Sequence, residues 1–252
     1  AKLLSEYQML NKRLGQISEG KEAWLKHSQR YHDGRIHGSV ITNACVSGRC
    51  SHRNPNMAQI PRVGQPYGAE CRGLFYAPHG WRQVGCDASG LELRGLGAQL
   101  AYFDGGEYAK LVSTEGFDIH THNAKLFGIY DGQGTIEKRI REQAKTLIYA
   151  VLYGAGAQKL GTILDPSLGQ YDQQDLGRET IETFYKNLPA IKKLKDKVDE
   201  RVLDRGFLIG IDGRHLQIRS RHSALNQLLQ STGSLCVKKA TCILYEDLKE
   251  NK

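Results

Sequence analysis

The chain has 252 residues, of which 40% are hydrophobic and 25% charged, and its formal net charge is +8. That composition excludes whole-chain disorder, collagen-like repeats and coiled-coil rods, and at this length one large domain or two small ones fit. No apolar run approaches the ~20 residues that span a bilayer and Ala1 to Arg13 hold no signal-peptide core, so a cytoplasmic protein with polyanionic partners is expected, nucleic acid foremost.

In chain order, Leu3, Leu4, Tyr7, Leu10, Leu14 and Ile17 recur at helical spacing and predict one or two amphipathic helices over residues 3–30. Ile36, Val40 and Ile41 suggest a strand within residues 34–43. Residues 47–68 are rich in Gly, Pro, Asn and Ser and read as an extended loop pinned by Pro55, Pro61 and Pro66. Residues 81–88 read as a strand ending at Asp87, and Asp87 or Ser89 then caps a helix running to about Phe103. Helices are expected over 118–128, capped by Asp118, and over 135–153, opened by Thr135 and closed by Tyr153-Gly154-Ala155-Gly156. Two more are expected over 172–186 and 189–204, the second started by Pro189. Residues 206–219 alternate around Asp212-Gly213 as a hairpin, and residues 222–248 form a last long helix.

Several positions can carry chemistry. Asp87, between a predicted strand and a helix, either caps that helix or holds a hard cation together with the Ala88 carbonyl. Glu92 projects from the first turn that follows. Arg141, Lys145 and Tyr149 are four apart and form one stripe on a helix whose remainder is apolar: Ile140, Ala144, Leu147, Ile148, Val151 and Leu152. Such a stripe is either a solvated face or a grip for a nucleotide, with cations on phosphate and a ring on sugar or base. His222, Asn226 and Gln230 share the same spacing and are either surface polarity or readers of a minor-groove edge. His120 and His122 flank Thr121 at a helix start, and Arg49 lies in a glycine-containing loop suited to a phosphate backbone. The six cysteines form no C-x-x-C pair. Cys45, Cys50 and His52 lack a fourth zinc ligand and a finger-like spacing.

Taken in order, these motifs resemble the polymerase domain of family A (polymerase I-like) DNA polymerases, most closely the replicative branch of short-tailed phages. D-A-S-G-L-E-L-R (87–94) is similar to motif A of that family and R-E-Q-A-K-T-L-I-Y-A-V-L-Y-G-A-G (141–156) to motif B. G-R-C-S-H-R-N-P-N-M-A-Q-I-P (48–61) resembles its primer-template loop, and A-L-N-Q-L-L-Q-S-T-G (224–233) its minor-groove helix. The resemblance runs from about Leu4 to Asp247. It implies an α+β, helix-dominated fold: a partial palm with an antiparallel sheet plus a helical fingers subdomain. The implied divisions are a helical segment at a thumb/palm junction (1–33), palm with motif A (34–104), fingers with motif B (105–205), and a palm hairpin with the duplex-contacting helix (206–252).

The implied activity is DNA-templated DNA synthesis, transferring a nucleotide from dNTP to a primer 3′-hydroxyl with two Mg²⁺ ions. By resemblance, Asp87 and the Ala88 carbonyl bind metal. His120, Arg141 and Lys145 hold the triphosphate, with Lys145 also donating a proton to the leaving group. Tyr149 lies by the sugar and implies acceptance of dideoxy sugars, while Glu92 crowds the 2′ position against ribonucleotides. Arg49, Tyr153, His222, Asn226 and Gln230 contact primer-template.

One departure stands out. The family's motif C, an apolar strand with His-Asp-Glu, has no counterpart in this sequence. Glu246 and Asp247 are the nearest carboxylates, and they sit on a helical pattern. The expectation is a split or assembled polymerase in which a second polypeptide supplies motif C and others supply a thumb and an exonuclease. The alternatives are an extein of a spliced precursor and an isolated fragment. Two rival readings are a single-subunit RNA polymerase, which would carry Met at position 149 and lack Glu92, and a catalytically inactive DNA-binding assembly subunit.

Overall fold

The computed structural model describes residues 2–251, and the backbone divides between Asp87 and Ala88 into two compact units. In the first unit, helix α1 (Lys2–Leu14) continues into a π-helical turn, Gly15–Glu19, and is followed by α2 (Trp24–Arg30). The predicted apolar stripe forms, but Leu3, Leu4 and Tyr7 remain exposed. Burial concentrates instead at Ala23, Trp24 and Cys71, where Phe75 packs edge-to-face on Trp24 at 5.2 Å. Strands β1 (Ser39–Ile41) and β2 (Ser51–Arg53) pair antiparallel, with Val40 opposite His52.

The predicted loop thus contains a short strand, and it also contains a 3₁₀ turn at Met57–Gln59 and the start of helix α3 (Gly68–Gly73). Side chains pin it. Gln16 Nε2 donates to the Gln59 carbonyl at 3.2 Å, and Arg72 Nε to that of Pro61 at 2.9 Å. The strand expected over 81–88 does not form. Trp81 and Val84 are 74% and 90% exposed, and a strand without a paired neighbour has nothing to hold it extended.

In the second unit, α4 (Leu91–Asp104) buries Leu93, Leu96 and Leu100 on one stripe. Neither Asp87 nor Ser89 caps it. The Ncap residue is Gly90, with φ 59°, and the cap is not a side chain. There follow α5 (Glu107–Ser113), α6 (Ile119–Leu126) and α7 (Lys138–Leu152). Helix α7 starts after Glu137, three residues later than expected. Next come α8 (Ala157–Leu164), α9 (Gln170–Asn187) and α10 (Pro189–Arg205), the last opened by its N1 proline. Local pattern does not announce α5 or α8. Both are short, and an isolated helix of seven or eight residues is marginal in water, so packing must supply what local propensity cannot. At the α8–α9 crossing, Gly161 lies against the Gln173 backbone and Gly177 against the Ala157 backbone, so a Cβ at either would collide with a carbonyl.

The hairpin of β3 (Phe207–Ile209) and β4 (His215–Gln217) turns at Gly213, with Leu208 opposite Leu216. The last helix, α11 (Ala224–Glu250), is buried only as far as Ser234. Glu246 and Asp247 lie on it, both exposed. Phe127 and Phe184 stack at 4.2 Å in the core, and Leu147, Ile148 and Leu152 of α7 are likewise fully buried. The fold is α+β and helix-dominated, with two separate two-stranded antiparallel sheets among the described residues. Among those residues no helix is long and apolar enough to cross a membrane.

Candidate nucleotide-binding site

The apolar side of α7 orients its polar stripe. Ala144, Leu147, Ile148 and Leu152 are buried, while Ile140 and Val151 are half-buried at the margins. The adjoining stripe carries Arg141, Lys145 and Tyr149 in succession, with Lys145 exposed and the other two half-buried.

Helix α6 supplies the facing group. Asp118 caps it, accepting from the His120 backbone N–H at 3.1 Å, as the sequence predicts. The same carboxylate takes Arg141 in a bidentate grip, Nε to Oδ2 at 2.7 Å and Nη2 to Oδ1 at 3.0 Å. Burial works against ionisation of Asp118. The hydrogen bonds from Arg141 and Thr121, with the charge of Arg141, nonetheless hold its carboxyl well below the usual carboxylate range. Arg141 is shifted up, first by that hydrogen bond.

His120, half-buried, has its pKa lowered from 6.5 by burial and then by the positive charges of Arg141 and Lys145. Its Nδ1 is buried with no hydrogen-bond partner. The two cations beside it make this edge of α7 favourable to an anion.

The far end of the stripe meets α4. The Tyr153 hydroxyl donates to Glu92 Oε2 at 2.9 Å, and the Tyr149 and Tyr153 rings lie 6.1 Å apart. Burial, and then the negative charge of Glu92, push the Tyr149 phenol up. Past Tyr153 the chain turns at Gly154, with φ 76°, and passes against the His222 carbonyl. His222 itself lies in a 3₁₀ turn, Arg221–Ser223, before α11 begins. It therefore does not share a helix face with Asn226 and Gln230, a departure from the expected stripe. Asn226 is half-buried with its Oδ1 unpartnered, and Gln230 is half-buried one turn further on.

The structure thus brings His120, Arg141 and Lys145 together, and it joins Tyr149, Tyr153 and Glu92. Asp118, legible in the sequence only as a cap, also binds Arg141. The Arg–carboxylate pair spans 23 positions, so no local pattern announces it. A cleft of about 620 Å³ lies apart from these groups, lined by Tyr102, Phe103, Leu194, Val198, Phe207 and Leu228 among others.

Arg49 and Asp87 belong to the first unit and are exposed there. Asp87 and the Ala88 carbonyl do not by themselves make a two-ion site. Among the described residues no group of three His, Cys, Asp or Glu is placed to hold a metal ion.

Comparison with known proteins agrees with this fold. The polymerases of Enterobacteria phage T3 and Escherichia phage T7, each named DNA-directed DNA polymerase, are 41% identical over 258 aligned residues, covering 94% of this chain and 34% of theirs. The thermostable DNA polymerase I of Thermus aquaticus is 31% identical over 230 residues, 86% of this chain and 26% of that protein. The chain therefore spans about a third of the length of its phage relatives. A solved structure, the POL domain of Pol1 from M. smegmatis in complex with DNA primer-template and dNTP, shares the fold. Its TM-score is 0.72 at 20% identity, over 90% of this chain and 40% of that one. With the model of DNA polymerase family A matching residues 1–252, the chain belongs to that family.

Proposed function

We propose that this chain carries the nucleotide-gripping part of a DNA-templated DNA polymerase that transfers a nucleotide from dNTP to a primer 3′-hydroxyl. The observation that carries the reading is the convergence of Arg141, Lys145 and His120 at one edge of α7, with Tyr149, Tyr153 and Glu92 at the other. The cationic end suits the triphosphate and the aromatic end suits sugar and base. In this reading Lys145 also hands a proton to the departing pyrophosphate, and Glu92 excludes a 2′-hydroxyl by occupying its space. Arg49, His222, Asn226 and Gln230 contact primer-template, as does Tyr153 at the templating base.

Asp87 and the Ala88 carbonyl contribute ligands for the two Mg²⁺ ions this family generally uses, in a split or assembled polymerase whose motif C carboxylates are not among these 252 residues. Residues 34–104 and 206–252 correspond to palm, 105–205 to fingers, and 1–33 to the thumb/palm junction. The setting proposed is the cytoplasm of a host cell.

The test is direct titration of the chain with a fluorescent dNTP. Arg141→Gln and Lys145→Ala should each weaken binding, and the chain alone should extend no primer in Mg²⁺. Equal dNTP binding by all three proteins would remove the basis of the reading. Primer extension by the pure chain would show that its own carboxylates suffice.

A further inference from the structure

Helices α6 and α7 meet through one carboxylate. Asp118 Oδ1 accepts from the His120 backbone N–H at 3.1 Å and from Arg141 Nη2 at 3.0 Å. Its Oδ2 accepts from Thr121 Oγ1 at 2.6 Å and from Arg141 Nε at 2.7 Å. A carboxylate has about four acceptor sites, and here each is used. Two of the donors are local and would start α6 whatever faced it. The other two come from α7 and fix the guanidinium along its Nε–Nη2 edge. Nη1 makes only a long 3.4 Å contact, to Glu142. A planar guanidinium gripped along one edge still has donors along the other for a second anion.

Arg141 and Asp118 are each about one-third exposed, at 36% and 37%, so geometry rather than burial gives the pair its value. A lone arginine on a helix surface samples many rotamers. Binding an anion would then have to order it.

We propose that Asp118 is a positioning residue for the triphosphate. It holds Arg141 by one edge so that the other is presented to the incoming nucleotide, with His120 kept alongside. The proposal rests on the reading of Arg141 and Lys145 as triphosphate ligands. A carboxylate beside a phosphate site would ordinarily weaken anion binding by repulsion. Here its charge is already spent on Arg141, and what remains is pre-organisation.

The experiment is a double-mutant cycle on the 252-residue chain, titrated with fluorescent dGTP and monitored for helix content. Asp118→Ser keeps an N-cap oxygen but not the grip on Arg141. It should bind dGTP roughly tenfold more weakly with helix content unchanged. Arg141→Gln should weaken binding at least as much, and the double variant should be no weaker than Arg141→Gln alone, because Asp118 acts only through the guanidinium. Additive losses, or unchanged affinity in Asp118→Ser, would overturn the proposal while leaving the nucleotide site intact. Normal affinity in Arg141→Gln would instead overturn the triphosphate assignment itself. Should Asp118→Ser lose helix content, Asp118→Asn, which keeps the shape and one cap carbonyl, is read by the same criterion of non-additivity.

Discussion

The Tyr153 hydroxyl reaches back 61 positions to donate to Glu92 Oε2 at 2.9 Å, tying the end of α7 to the first turn of α4. Glu92 is thereby held half-buried beside Tyr149, whose ring it also influences electrostatically. A carboxylate held by a tyrosine is a rigid obstacle, whereas a free one would swing aside.

This arrangement predicts the effect of two substitutions on sugar choice. On the proposed reading of Glu92 as excluding a 2′-hydroxyl, in an active polymerase that contains this chain Glu92→Ala should raise the ratio of kcat/KM for ribonucleotides over deoxyribonucleotides by about tenfold or more. Tyr153→Phe should shift the ratio in the same direction but less, since Glu92 remains and is only unmoored. Unchanged selectivity in Glu92→Ala would remove Glu92 from the proposed discrimination between sugars.

The turn at Gly154 is a stability site. Alanine there would have to adopt φ near 76° and place its Cβ against the His222 carbonyl oxygen. Gly154→Ala should cost about 1–3 kcal/mol from the backbone conformation, and more from the displaced turn. Urea unfolding, with the midpoint and slope both fitted, checks this.

Two neighbours on α7 should behave in opposite ways. Leu147 is fully buried, and Leu147→Ala should destabilise by about 2–5 kcal/mol. Lys145 is exposed, and Lys145→Ala should change stability by no more than about 0.5 kcal/mol while weakening dNTP binding. Paired denaturation and titration data separate the roles.

The pH dependence follows from His120. Its pKa lies below 6.5 in the free chain because burial and then Arg141 and Lys145 disfavour the imidazolium. The sign for folding is that the stability it contributes is present above 6.5 and is lost as pH falls through the lowered value. A triphosphate bound alongside adds negative charge and raises that pKa, so binding takes up a proton. Affinity for dNTP should therefore strengthen as pH falls from about 7.5 toward about 6, and His120→Gln should flatten that profile. A profile identical in the variant would remove His120 from the site.

Asp87 is exposed in an irregular segment, so Asp87→Asn should leave melting of the chain unchanged. In an active polymerase that contains this chain, the same substitution should abolish primer extension and spare DNA binding. Full extension rates would show that Asp87 is not the motif A carboxylate.

Local pattern by itself determined much of this molecule. The 3.6-residue spacing on α7 placed Arg141, Lys145 and Tyr149 together on one stripe, with Leu147 on the far side of the helix. Asp118 as a cap, Pro189 at a helix start and Asp212-Gly213 in a hairpin were legible for the same reason, since each acts within four residues. What only the tertiary structure decided lies beyond that range. Residues 81–88 carry a strand-like pattern but find no partner, α5 and α8 are helical because they pack, and His222 falls in a turn before α11. The Arg141–Asp118 and Tyr153–Glu92 pairs depend on chain segments 23 and 61 residues apart meeting in space. Side-chain pairing at such separations is set by how helices pack, and packing is a property of the whole unit that no local window contains.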